Sequence, residues 1–202
     1  MARVLIIHGW TNRRPFGHWQ RNLASALREQ GHIVSYPQLP NTDNPKLSEW
    51  LEVIIDELNM LNEVGERASE ELIVVAHSLG CITWLQASDR GLLPSKADRL
   101  LLVAPPEPQP TGTTSPFESF VMEPDYERIR RAVHDSAGSV ELVGSDADPW
   151  QPSGIQAGVG DLIGLQAHII PGAKHLSLTD GFSQWQGVID WVNDPHADLT
   201  KV

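Results

Sequence analysis

The sequence predicts an α/β fold, a three-layer sandwich around a mostly parallel six-stranded sheet. Three observations lead there. Short apolar, β-branched runs recur without polar alternation, as strands covered on both faces require. Amphipathic helical patterns lie between them, and strand–helix alternation at this spacing builds parallel sheets. A length of 202 residues with 41% hydrophobic content suits one domain, 1–202, with a sizeable core.

The first strand is expected at Val4–Ile7, ending in His8-Gly9-Trp10. Trp19, Leu23, Ala26 and Leu27 then share one helical face, and Gly31 supplies a C-terminal stop. Ile33–Tyr36 reads as the second strand. Asn44-Pro45 opens a helix with an apolar stripe of Leu47, Leu51, Ile54, Ile55, Leu58 and Leu61. Its acidic residues, Glu49, Glu52, Asp56 and Glu57, form a solvated face. Leu72–Ala76, Leu100–Ala104, Val140–Val143 and His168–Ile170 supply the remaining strands. Phe182, Trp185, Val188, Ile189 and Val192 give the last helix its buried face. The Pro-rich stretch from Pro105 to Pro116 reads as a long loop within the domain, because the sheet pattern resumes at Val140.

Charge and cysteine content narrow the function classes. Lys and Arg total 15 against 26 Asp and Glu, a formal net charge of −11. Such a surface repels phosphate backbones and anionic lipid, so neither nucleic acid nor a membrane is an expected partner. One cysteine, Cys81, permits no intramolecular disulfide and no cysteine-based zinc site. The apolar run at the N-terminus is too short for a signal-peptide core or a bilayer span, and a cytoplasmic protein is expected. Gly158-Val159-Gly160-Asp161-Leu162-Ile163-Gly164 does not follow a strand or match G-x-G-x-x-G spacing, and is set aside as a phosphate loop. The sequence carries no signal for oligomeric state.

The chemistry concentrates at Leu72-Ile73-Val74-Val75-Ala76-His77-Ser78-Leu79-Gly80-Cys81. A buried strand runs directly into small-x-Ser-x-Gly and then a helix, the pattern of a nucleophile elbow with Ala76 in the first glycine position. The turn is sharp, so residues two places either side of the serine must be small. It aims Ser78 at the carboxyl edge of the sheet and leaves the Leu79 N–H at a helix N-terminus to hold an oxyanion. A serine hydroxyl needs a base, and an acid and a histidine are expected to follow in that order. Asp148 lies in the loop after Val140–Val143, and His175 in the loop after His168–Ile170. Asp148 is the expected orienting acid, with Asp146 as the alternative. His175 is the expected proton shuttle. The Trp10 N–H, in the loop after the first strand, is the candidate second oxyanion donor, and His8 is expected to brace that loop. Trp10 and Trp150 flank the site and are candidate walls of a substrate pocket; plain packing is the other reading of these rings. Cys81 and His77 are expected to be buried, locally packed groups.

Together these residues resemble the α/β-hydrolase superfamily, and within it the small cap-less serine hydrolases that include retinoblastoma-binding protein nine and its bacterial relatives. The markers are His8-Gly9-Trp10, His18-Trp19-Gln20, Val75-Ala76-His77-Ser78-Leu79-Gly80-Cys81, Leu102-Val103-Ala104-Pro105, Gly144-Ser145 with Asp148-Pro149, and His175 with Gly181-Phe182. The resemblance implies a shortened hydrolase sheet lacking the first strands of the full fold, no cap domain, and Ser78, Asp148 and His175 as the triad. Two positions depart from the family. Lys174 stands where glycine commonly precedes the histidine, which puts a cation near the imidazole. Leu79-Gly80-Cys81-Ile82-Thr83 lacks the retinoblastoma-contact motif, so that partner is not carried over.

The expected activity is hydrolysis of small carboxylic esters, or of related thioesters or amides, through an acyl-enzyme. Neither a metal nor an organic cofactor is required, and the expected partner is a small ester-like substrate. Two readings compete with it: a non-catalytic interaction protein on a hydrolase scaffold, and an acyltransferase using the same triad.

Overall fold

The computed structural model describes residues 1–64, 70–107, 117–122 and 125–202. Among these, six strands form one sheet: β1 Ala2–Ile7, β2 Ile33–Ser35, β3 Glu71–His77, β4 Ala97–Val103, β5 Ala137–Gly144 and β6 Ala167–Ile169. Their order is β2-β1-β3-β4-β5-β6, and every pairing is parallel. From β1 the chain moves outward to β2, then returns to place β3 on the other side of β1. The strand order therefore reverses between β1 and β3, and ligands of open parallel sheets collect at the carboxyl ends of strands at such a point.

Alternate side chains of each strand feed two cores. Leu5, Ile7, Val74, Leu100, Leu102 and Leu142 pack on one face against α2 (Leu47–Val64), α3 (Leu79–Asp89) and α4 (Tyr126–Ser136). Val4, Ile6, Val75, Leu101, Val103 and Val143 pack on the other against α1 (Trp19–Glu29) and a C-terminal helix, Gln186–Asn193. Since both faces are covered, polar alternation would have buried charge, which explains the continuous apolar runs.

Within the helices the register differs from expectation in detail. Trp50 and Trp191 are fully buried, whereas Ile55 and Ile189 are half-buried, because the buried arc of each helix sits slightly off the predicted stripe. Ala24, not Ala26, completes the buried face of α1. Phe182 and Trp185 precede the last helix instead of belonging to it. The Gly158–Gly164 segment is helical: a π-type turn at Gln156–Gly160 leads into a short helix, α5 (Asp161–Ile163), which Gly164 ends at φ 75°. The C-terminal helix is thus α6. Residues 108–116 of the Pro-rich stretch lie outside the described residues.

Arg99 on β4 is a buried cation with a specific task. Its guanidinium donates to the Trp191 and Val192 carbonyls (2.6 and 2.8 Å), pairs with Glu71 (2.8 Å) and lies over the Trp191 ring. The last carbonyls of α6 have no partner within the helix and carry its negative dipole end, so a cation here both caps and anchors it.

Candidate active site

The site grows from the end of β3. Ser78 sits at φ 55°, ψ −126°, backbone that a side-chain-bearing residue adopts only under strain. Backbone hydrogen bonds hold it there on both sides: Ser78 N donates to Val103 O of β4 at 2.9 Å, and Cys81 N, in the first turn of α3, donates to Ser78 O at 2.9 Å. The elbow also requires glycine on both sides of a close approach. A methyl group on Gly80 would lie 2.7 Å from the His8 carbonyl oxygen and 2.8 Å from that of Ile7. On Gly9 it would lie 2.7 Å from Ser78 Cβ. The loop after β1 therefore runs directly against the serine.

Three side chains far apart in sequence meet at this edge. His175 Nε2 lies 2.8 Å from Ser78 Oγ, and His175 Nδ1 lies 2.8 Å from Asp148 Oδ2. With Nδ1–H donating to the carboxylate, Nε2 is left as the acceptor for the serine hydroxyl. The Asp148 side chain is almost fully buried, and its other oxygen accepts from the Trp150 backbone N–H at 2.9 Å. Asp146, the alternative acid, turns away: its Oδ1 accepts from the Gly172 N–H at 2.7 Å and so ties the β5 loop to the β6 loop.

The loop carrying His175 is clamped from below. Lys174 and Leu176 both have φ 51°, so the histidine stands between two left-handed residues. A left-handed residue before the histidine is what glycine adopts without cost. Lys174 takes it with a side chain, and its ammonium points to Asp180, 3.9 Å away. Two donors hold the carbonyls of His175 and Leu176. His77 Nε2 donates to the His175 carbonyl (2.9 Å), and Trp19 Nε1 donates to that of Leu176 (2.9 Å). Gln20 reaches the Ile7 carbonyl at the end of β1 (3.0 Å). The His18-Trp19-Gln20 string thus links the first loop to the histidine loop, with His18 itself accepting from the Gln20 N–H as the N-cap of α1. His77 bonds across 98 positions of sequence, not locally as its place in the elbow suggested.

The oxyanion candidates are backbone groups. The Leu79 N–H opens α3, where no intrahelical acceptor exists. His8 Nδ1 donates to the Gly9 carbonyl at 2.9 Å, while its Nε2 accepts from Leu39 N at 3.0 Å. In a trans peptide the N–H points opposite to the C=O. Holding the Gly9 carbonyl therefore turns the Trp10 N–H the other way, and among the described residues no acceptor meets it.

Burial keeps the supporting histidines uncharged. His8 is pushed down to about 4 by desolvation, which outweighs its bond to Gly9. His18 falls to about 4 for the same reason, with His8 adding to it. His77 is held well below the usual histidine range by burial, then by the neighbouring His175. The Cys81 thiol is pushed up by burial, as suits a packed group that faces the Ala76 and Val103 carbonyls.

A cleft of about 540 Å³ opens over Ser78, a volume within the usual range for small-molecule sites. Trp10 and Trp150 both line it, with ring centroids 6.2 Å apart. Phe117, which the sequence did not single out, joins them edge-to-face, 5.0 Å from Trp10 and 6.2 Å from Trp150. Its position at the end of a Pro/Thr-rich stretch without periodicity offered no signal. Trp19 is core, and Phe16 is exposed. Among the described residues, no helix is long and apolar enough to cross a membrane.

Comparison with solved structures shows the same fold. The ydeN gene product from B. subtilis is 22% identical, with 96% of this chain and 97% of that chain covered at a TM-score of 0.69. Est1E from Butyrivibrio proteoclasticus is 17% identical, with 96% and 87% covered and a TM-score of 0.61. A monoacylglycerol lipase from Paleococcus ferrophilus is 14% identical, with 94% and 93% covered and a TM-score of 0.59. Comparison with curated proteins gives no match. The model of one family, described as serine hydrolase, matches residues 4–194, nearly the whole chain. The sheet, the elbow and that match together place this chain in the serine hydrolase family.

Proposed function

We propose that the protein hydrolyses small carboxylic esters through an acyl-enzyme on Ser78, with His175 as the proton shuttle and Asp148 as its orienting acid. One observation carries this reading: the unbroken relay from Asp148 through His175 to Ser78, with both contacts at 2.8 Å. In such a relay His175 Nε2 takes the hydroxyl proton as Ser78 Oγ bonds to the carbonyl carbon. The oxygen, now negative, is held by the Trp10 and Leu79 N–H groups. On collapse the bond to the alcohol oxygen breaks, and His175 returns the proton to it. Water then repeats the sequence against the acyl-serine and releases the acid. Asp148 keeps the imidazole in the productive tautomer and stabilises its cation. The same steps serve thioesters and amides. The reading also agrees with Est1E, which has been solved with ferulic acid, a carboxylic acid of the kind ester hydrolysis releases.

The test is labelling and turnover. A serine-directed phosphonate is expected to label the native protein and not Ser78→Ala, and the variant is expected to lose nearly all turnover of a short acyl ester while keeping its circular dichroism. Equal labelling of both proteins would remove Ser78 as nucleophile.

A further inference from the structure

Resting on that acyl-enzyme reading, we propose that the cleft is divided by chemistry on either side of His175: an aromatic arm that takes a ring-bearing acyl group, and a hydroxyl-lined arm that takes an uncharged, polyhydroxylated alcohol as the leaving group. The division follows from a row of rings. Centroid distances run 6.1 Å from His18 to His77, 5.2 Å from His77 to His175, 6.2 Å from His175 to Trp150, and 6.2 Å from Trp150 to Phe117. Along this chain of ring contacts His18 connects to the Trp10–Phe117–Trp150 cluster through His77 and His175, so the proton shuttle comes between them.

At the aromatic end the three rings meet edge-to-face, and Ile82 of α3 adds an aliphatic wall. An entering ring would find ring edges and faces in the arrangements aromatic pairs prefer. At the His18 end, Leu178 packs over Gly17, which brings residues 177–180 alongside His18. Ser177 Oγ lies 2.8 Å from Thr179 Oγ1 and donates to Asp180 Oδ2 at 2.6 Å. With the Ser177 proton given to Asp180, Thr179 donates to Ser177, and its oxygen and the Asp180 carboxylate remain to accept hydrogen bonds from substrate hydroxyls.

Which group enters which arm follows from the reaction. The oxyanion donors belong to Trp10 and Leu79, whose elements also supply the aromatic arm through the Trp10 ring and Ile82. The leaving oxygen must face His175 Nε2, and the residues that follow His175 build the polar arm. The charged lining side chains, histidines aside, are Glu107 and Asp180, with no Lys or Arg among the described lining. A carboxylate on either half of the substrate would meet like charge, since the nearby cation, Lys174, is already turned to Asp180.

The experiment compares four esters with the native enzyme: the methyl and 1-glyceryl esters of 3-phenylpropanoic acid and of butyric acid. The phenylpropanoate is expected to exceed the butyrate in kcat/KM by ten- to about thirtyfold, the worth of one buried ring. The glyceryl ester is expected to exceed the methyl ester about fivefold, the worth of one or two hydrogen bonds. Phe117→Leu is expected to shrink the acyl ratio and leave the alcohol ratio in place; Thr179→Val is expected to do the reverse. Equal or better use of butyrate, or variants whose effects are exchanged, overturns the division. Phosphonate labelling of Ser78 with turnover that ignores both substituents sinks the division alone. Absence of both labelling and turnover sinks the acyl-enzyme reading beneath it.

Discussion

Replacing Gly9 with alanine is expected to damage turnover far more than folding. The new methyl group would lie 2.7 Å from Ser78 Cβ, 3.1 Å from Ser78 Oγ and 3.2 Å from the His77 carbonyl. Carbon–carbon contact settles at about 3.5 Å or more, so the β1 loop and the elbow must separate by roughly 0.8 Å. Gly9 shares its peptide with the Trp10 N–H, and the displacement passes directly to that donor. An oxyanion bond of about 2.9 Å would stretch to about 3.7 Å, beyond useful hydrogen bonding. Loss of one such donor costs about 3 kcal/mol in the transition state, or on the order of a hundredfold in kcat, with a smaller change in KM. The assay is steady-state hydrolysis of a short ester beside thermal unfolding of the same preparations. Gly91→Ala, just past the end of α3, is the control, since a methyl there meets nothing within 4 Å although its φ of 65° adds strain. If Gly9→Ala hydrolyses the ester within threefold of the native rate, the Trp10 peptide does not hold the oxyanion.

Three further outcomes follow from buried polar groups. His8 and His18 are held near 4 in the folded chain against 6.5 when exposed, so the unfolded chain binds more protons below 6.5. The stability they contribute is complete above 6.5 and lost as pH falls toward 4, by roughly 3 kcal/mol each over that window. His77 acts in the same direction. Urea midpoints should drop steeply from pH 7 to pH 5; a flat profile would mean these rings are protonated in place. Arg99→Met strands two α6 carbonyls and leaves Glu71 without its cation, an expected loss of about 2–4 kcal/mol in denaturant unfolding. An unchanged midpoint would refute the anchoring role. His77→Phe keeps a ring but removes the donor to the His175 carbonyl. It is expected to lower kcat about five- to tenfold with KM nearly constant, and His77→Gln to recover part of it by restoring an N–H. Equal loss in both variants would make His77 mere packing.

The sheet was legible because its strands are buried on both faces, so burial alone wrote the runs at Leu72–Ala76 and Leu100–Ala104. The helix Tyr126–Ser136 was not, since its inner face is only Ile129, Ala132, Val133 and Ser136 between Arg128, Arg130 and Arg131. That pattern is too polar to stand out. Ser78, Asp148 and His175 were legible from order and from their places after strands. Asp146 and Asp148 could be ranked but not separated, because both follow β5 and only the fold decides which one turns toward the imidazole. The roles of His77, Trp19 and Phe117 lay beyond reach for a common reason. Each depends on a partner brought close by the crossing of distant loops, and no local spacing encodes such a meeting.

Ser78 occupies backbone that only glycine enters freely, and the rest of the fold bears that cost, on the order of 1–3 kcal/mol. On the proposed mechanism, heat resistance and turnover therefore pull on position 78 in opposite directions. With Ser78 as the proposed nucleophile, a variant library sorted by thermal survival alone is expected to drift toward glycine there and enrich proteins that are sturdier and inert. Any effort to harden this enzyme must keep a turnover screen running beside the thermometer.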